Sequence, residues 1–309
     1  MLKDAGFGAA NGTFGELLQG MLPDAQRFLV TFPLDTWSTA VFRPAAKGGG
    51  VSVYPPGKAK SRLLATRMLR AYGHDVGGTL ELSGGLAEGK GLASSSADLV
   101  ATARAVADAL DVDLDEETTE EFLRGIEPSD GVMYAGIVSY HHREVRLRER
   151  LGFLPPLTVI AHDAGGMVDT VRFNRAAPTP DRRTRRTYAS LLDGLSAAIR
   201  SRDLPAVGRI TTLGARLHLG PQPDFRFDRM RKICREVGGL GLVIAHSGTY
   251  LGILLGEARD EDPARIERAR AWCAELPGTV SVFRSLGADA TAPSSALHPA
   301  CHAGDEHAL

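Results

Sequence analysis

Two spacings of apolar residues alternate along the chain. The first pieces are strand-like: Phe28 to Phe32, Thr36 to Phe42 and Val51 to Tyr54 are rich in β-branched and aromatic residues and are bounded by Pro and Gly. The pattern then changes to a helical one over Lys60 to Tyr72, where Leu64, Met68 and Ala71 share a face. Thr79 to Leu82 reads as a strand. A glycine-rich loop and a helix from about Ser95 to Leu110 follow, with Leu99, Ala103, Val106 and Leu110 recurring every three or four residues. Glu116 to Arg124 fits a shorter helix. In the second half, Leu157 to Ala161 predicts a buried strand. Thr184 to Arg200 predicts a helix with Tyr188, Leu191, Leu195 and Ile199 inward, and Leu204 to Leu219 and Asp228 to Val237 predict two more. Leu240 to Ala245 and Tyr250 to Leu255 read as strands joined by a tight turn over His246 to Thr249. A helix at Pro263 to Leu276 and a strand at Val280 to Arg284 close the pattern.

Strands and helices mix in both halves without a regular βα alternation, so the pattern predicts an α+β fold rather than a doubly wound sheet. Gly152 and the Pro155-Pro156 pair interrupt it and divide the chain into a unit over 1–152 and a second over 153–287. The remaining 288–309 is rich in Ala, Ser, Pro and His without periodicity and is expected to be a disordered tail. With 309 residues, two medium units are a natural size.

Composition narrows the function classes. A formal net charge of -1 argues against non-specific binding to nucleic acid or to a membrane surface. The chain has no apolar run of about 18 residues, and Met1 to Gly8 lacks the charged and apolar regions of a secretory signal. Cys234, Cys273 and Cys301 are few, odd in number and widely spaced, which suggests a reducing cytoplasm and no disulfide framework. His298, Cys301, His302 and His307 lie in the expected tail with irregular spacing, which reads as incidental rather than metal-binding. A monomer or homodimer is expected.

The segment richest in chemistry is Gly89-Lys90-Gly91-Leu92-Ala93-Ser94-Ser95-Ser96-Ala97-Asp98. Strand, glycine-rich turn, hydroxyl cluster and helix arrive in that order. Such a turn exposes successive backbone N–H groups, and the helix start adds unpaired donors and the positive end of its dipole. Lys90 can offset phosphate charge. The alternative is a glycine turn with Ser94 or Ser95 as a simple helix N-cap. The segment is neither a Walker A loop nor a Gly-x-Gly-x-x-Gly fingerprint.

Gly91-Leu92-Ala93-Ser94-Ser95-Ser96-Ala97 resembles the phosphate motif of the GHMP kinases, the superfamily of galactokinase, homoserine, mevalonate and phosphomevalonate kinases. The fuller Gly-Lys-Gly-Leu-Ala-Ser-Ser-Ser-Ala-Asp string is most similar to the propanediol-utilisation type L-threonine kinase branch. Asn11-Gly12-Thr13-Phe14-Gly15-Glu16-Leu17-Leu18-Gln19-Gly20 resembles that branch's opening motif. Glu127-Pro128-Ser129-Asp130, Val168-Asp169-Thr170, Phe173-Asn174-Arg175 and Ala245-His246-Ser247-Gly248-Thr249 resemble its later segments. Phe14 replaces the branch's usual Cys and Asn11 its usual Pro, which places bulk beside the expected acceptor pocket. Ala10 stands where the mevalonate-kinase type carries a lysine.

The resemblance implies a two-lobed GHMP fold, with a ribosomal-protein-S5-domain-2-like N-terminal lobe and a ferredoxin-like C-terminal lobe. It also implies ATP as phosphoryl donor, magnesium as cofactor and a small hydroxylated metabolite as acceptor, L-threonine first. On that basis Asp130 orients or deprotonates the hydroxyl, the alternative being an Asx-turn or helix cap. Gly89, Lys90, Gly91, Leu92, Ala93, Ser94, Ser95 and Ser96 cradle the nucleotide phosphates, and Ser95 and Glu127 hold magnesium. Thr13, Glu16, Asp169, Thr170, His246 and Ser247 face the acceptor, with a salt bridge, a turn or an ordinary satisfied histidine as the plainer readings. Lys58 and Lys60 either reach the nucleotide or begin a solvated helix, and the run Arg182 to Arg186 reads as a solvated helix face.

Overall fold

The structure is a computed structural model, and it describes residues 2–166, 179–245, 249–256 and 263–294. Its strands are β1 (Gly6–Met21), β2 (Arg27–Lys47), β3 (Val51–Tyr54), β4 (Val76–Gly84), β5 (Ile137–His141), β6 (Arg146–Gly152), β7 (Leu157–Asp163), β8 (Gly241–Ile244), β9 (Tyr250–Gly256) and β10 (Thr279–Arg284). The helices are α1 (Ala59–Ala71), α2 (Ser94–Leu110), α3 (Glu116–Leu123), α4 (Arg182–Ser201), α5 (Leu204–Leu219), α6 (Phe225–Glu236) and α7 (Pro263–Cys273).

The strands form one sheet in the order β10-β7-β9-β8-β1-β2-β4-β3, with β5 and β6 branching from β2. Pairing is antiparallel except between β3 and β4. In the later half, side chains alternate faces as strand geometry requires. Val159, Ala161, Val243 and Leu254 join a core with Tyr188, Leu192 and Leu195 of α4 and Val207 of α5. Ile160, Leu242, Ile244, Ile253 and Leu255 join another with Phe227, Met230 and Ile233 of α6 and Ala269 of α7. Both faces are covered, so these strands read as near-continuous apolar runs.

In the earlier half, α1 and α2 pack Leu64, Met68, Leu99, Val100 and Val106 against Leu29, Phe42, Leu80 and Leu82 of the sheet. Fully burying each such side chain contributes roughly 1.5–3 kcal/mol. Helix α2 is buried on nearly all sides and lies directly on β1. A Cβ on Gly8 would stand 2.1 Å from the Ala101 carbonyl oxygen, so glycine there lets strand and helix backbones meet.

Helix ends fall within a few residues of the expected ones, and α5 coincides with its predicted span. Leu192 is buried in the core from α4 beside the expected Leu191, which is partly buried against it. The sequence pattern missed β1, β5 and β6 and split β2 into two strands. Residues 288–294 have no regular structure; the rest of the expected tail, with His298, Cys301, His302 and His307, lies outside the described residues.

Candidate active site

The phosphate loop folds onto β1. Thr13 N–H donates to the Leu92 carbonyl at 3.2 Å, and Gly15 N–H donates to the Gly91 carbonyl at 3.0 Å. The opening motif and the serine motif, separated by about a quarter of the chain, are therefore adjacent. Gly89, Gly91 and Ala93 have positive φ of 68°, 75° and 57°, the left-handed setting found in loops whose successive amides bind anions. Leu92 is buried and contributes only main chain.

Helix α2 begins at Ser94, and its N-cap is Ala93, with no side-chain capping bond. The serines thus do not act as N-caps. The Ala97 N–H to Ala93 carbonyl bond, at 2.9 Å, closes the first turn, so the N–H groups of Ser94, Ser95 and Ser96 precede the first intrahelical donor. These donors, the loop amides and the helix dipole suit a polyanion.

Two carboxylates meet this helix start from the loop after α3. Ser95 Oγ donates to Glu127 Oε1, and Lys60 pairs with Glu127 Oε2. Ser96 Oγ donates to Asp130 Oδ2 at 3.2 Å and accepts from the Asp130 N–H at 3.2 Å. The loop is anchored from behind by Ser129 N–H to the His142 carbonyl at 3.0 Å. Burial pushes the Asp130 carboxyl up to about 6; the Ser96 hydrogen bond opposes this and the nearby Glu127 charge adds to it. Glu16, at 3% exposure, is held well above the usual carboxylate range by burial first and by Asp130 second. Glu16, Asp130 and the serine cluster therefore share one neighbourhood.

Solved structures with this arrangement of elements include homoserine kinase, mevalonate kinases, galactokinase and a mevalonate diphosphate decarboxylase. A homoserine kinase from Cytophaga hutchinsonii matches with a TM-score of 0.73 at 17% identity, covering 93% of this chain and 96% of that one. The galactokinase of Lactococcus lactis matches at 0.68 and 11%, covering 92% and 94%. The GHMP kinases N terminal domain family matches residues 60–136, which include the serine loop, Glu127 and Asp130. The chain has the GHMP kinase fold. Among curated proteins, the L-threonine kinase of Citrobacter freundii is 26% identical over 263 residues, covering 80% of this chain and 85% of that protein. The L-threonine kinase of Salmonella typhimurium is 26% identical over 262 residues, covering 82% and 83%.

Within this GHMP fold, several expectations need revision. Phe14 does not add bulk to an open pocket: it is wholly buried, with its ring centroid 5.8 Å from that of Tyr250 and 5.7 Å from that of Phe283. Lys58 is not a solvated helix start. Its Nζ donates to Glu88 Oε1 and to Asp98 Oδ2, each at 2.5 Å, and Asp98 Oδ1 accepts from Ser38 Oγ at 2.5 Å. Asp98 and Ser38 were invisible as site residues because each partner comes from a different strand or helix. Asp163, a partner of Lys90, was missed for the same reason: it ends a strand with no motif around it. Thr13 is buried in β1 beside the loop. Asp169, Thr170, His246 and Ser247 lie outside the described residues.

A nucleotide polyphosphate fits the donor set of the loop and helix start. Among the described residues no group of three or more His, Cys, Asp or Glu forms a metal cage. Ser95 and Glu127 fit a magnesium ion that takes most of its ligands from phosphate oxygens, as this ion commonly does.

Proposed function

We propose that the chain is an ATP-dependent kinase that phosphorylates the hydroxyl of a small metabolite, with L-threonine as the leading acceptor. One observation carries the reading. Ser96, in the first turn of the phosphate-facing helix, both donates to and accepts from Asp130, so a carboxyl poised near neutrality stands beside the phosphate cradle. A general base works best with a pKa close to the working pH. In the reaction, Asp130 takes the proton of the acceptor hydroxyl. The hydroxyl oxygen forms a bond to the γ-phosphorus as the bond to the bridging oxygen breaks, and ADP leaves with the electron pair. The donors of residues 89–96 bind and orient the phosphates. Ser95 and Glu127 are the residues that would hold a magnesium ion, which would supply charge neutralisation for the polyphosphate.

Two observations support an amino-acid acceptor. Glu16 and Asp130 form a buried acidic pair, a setting that welcomes an ammonium. Two curated proteins that the chain resembles over about four fifths of its length are named as L-threonine kinases. Phe14, being packed in the core, is no argument against threonine. The test is ADP release with threonine, serine, homoserine and N-acetylthreonine. Threonine is expected to be used best, and acetylation of its amine to reduce kcat/KM by about tenfold or more, the loss of one charge-assisted contact. Equal use of the acetylated compound would remove the amino-acid assignment. Nucleotide binding without ADP release from any acceptor would mark a catalytically silent sensor.

A further inference from the structure

Lys90 belongs to the phosphate loop but is tied to the far half of the sheet. Its Nζ donates to Asp163 Oδ2 at 2.6 Å and to the Gly166 carbonyl at 2.7 Å. Asp163 is the last residue of β7 and is 5% exposed. Its second oxygen, Oδ1, accepts from Gly165 N–H at 3.0 Å. The neighbouring Ala164 N–H donates to the Thr249 carbonyl at 3.2 Å, and the same carbonyl accepts from Arg226 at 2.7 Å. The carboxylate is thus fixed by β7, by the turn after it and by the segment leading into β9.

A lysine ammonium has three donors. Among the described residues two are committed, which leaves one, with its direction set by the other two. A lysine on a flexible stem loses rotamer freedom whenever it binds a ligand; Lys90 has already lost it. We propose that Asp163 is a positioning residue that acts through Lys90. It holds the ammonium so that the third donor meets the nucleotide polyphosphate, which makes the C-terminal half of the sheet part of the phosphate site. This rests on reading the loop as a nucleotide-phosphate site. Asp163 itself touches neither substrate.

The test compares the full chain with Asp163→Asn, Lys90→Met and the double variant. MgADP affinity is read by calorimetric titration, the KM of MgATP and of the acceptor by ADP release, and the unliganded thermal midpoint by calorimetry. Lys90 exposure is read by amine labelling and peptide mass spectrometry. Asp163→Asn is expected to speed labelling of Lys90 and to weaken MgADP about tenfold, the worth of one charge-assisted hydrogen bond. The acceptor KM should not change. In the Lys90→Met background the same change should cost less than about twofold, because two residues acting as one unit are not additive. A lower thermal midpoint with unchanged MgADP affinity would overturn the proposal and leave a structural ion pair. So would equal losses with and without Lys90, or full MgADP affinity in Lys90→Met, a variant that decides the matter even if Asp163→Asn fails to fold. A parent that binds MgADP but phosphorylates nothing would sink the kinase reading while these binding comparisons still stand. A parent that binds no nucleotide would sink both.

Discussion

Asp130 changes protonation close to neutrality, and this gives two separable outcomes. Its folded value of about 6 lies above the ordinary 3.8, so ionising it costs the fold stability. The cost is absent below about pH 4, grows between about 4 and 6 and is complete above that, reaching at most about 3 kcal/mol for a rise of roughly two units. Asp130→Asn should therefore be more stable than the parent at about pH 8 and equal to it near pH 4, as read by thermal melts at both values. Activity has the opposite sense, because a base must be ionised to act. Parent kcat should rise through about pH 6; the variant should lose that limb together with about 10² to 10⁴-fold in rate, with little change in the KM of ATP. A loss confined to ATP binding would move Asp130 into the nucleotide site. Ser95 is itself exposed where it contacts Glu127, so Ser95→Ala should leave the melting midpoint within about a degree or two. It should raise the magnesium needed for half-maximal rate and lower turnover. Identical kinetics at low and high magnesium would count against a ligand role.

At the level of elements, Phe14 is a core residue of β1. Its ring, with those of Tyr250 and Phe283, joins β1 to β9 and β10. Phe14→Ala should cost about 3–5 kcal/mol, the usual range for emptying a buried aromatic site, and should leave the order of acceptor preference unaltered. A changed order with an unchanged denaturation midpoint would return Phe14 to the acceptor pocket. β1 also shows where the sequence was opaque. Gly6, Gly8, Gly12 and Gly15 make it read as a loop, since glycine is rare in strands. Here glycine permits close approach of other segments, with Gly6 and Gly8 against the α2 backbone, Gly12 against Leu86 and Leu92 and Gly15 against Ala245, a property of the partners and not of the segment. β6 was missed because Glu149 stands between Leu147 and Leu151 on its inward face and leaves only two apolar positions to mark the period, and β5 because all five of its residues are buried and none alternates. Pro33 and Pro44 read as strand breaks, yet β2 runs through both. The helices, by contrast, were legible because apolar residues recur along them at helical spacing, even in α2, which is buried on nearly all sides. The serine loop was legible as a motif. The ion pairs around it, Lys90 with Asp163 and Lys58 with Asp98, were not, because they join residues roughly 40 to 70 positions apart and carry no local signature.

For the molecule as a whole, the candidate site draws on β1, the loop before α2 and the loop after α3, so a ligand there touches segments that are remote in sequence. MgATP at about a hundred times its dissociation constant should stabilise the fold by about 2.7 kcal/mol. Hydrogen exchange should slow together in residues 13–16, 89–97 and 127–131. Protection of one segment alone would mean that they do not form a common site. β1 also touches the end of β8. Gly15 has a φ of 47°, and a Cβ there would stand 2.2 Å from the Ala245 Cα; Glu16 pairs with Ile244. The strand that comes first in the chain is thus flanked on one side by its immediate successor and on the other by a strand more than two hundred residues later. During synthesis β1 can pair with β2 as soon as both leave the ribosome, and the serine loop can settle on it soon after. The opposite edge of β1 has to wait, its hydrogen-bonding groups open to any passing strand, until nearly the whole polypeptide has emerged. Translation that stalls before residue 241 would release a half-sheet with an exposed central edge, a form that chaperones and proteases would meet before any substrate could.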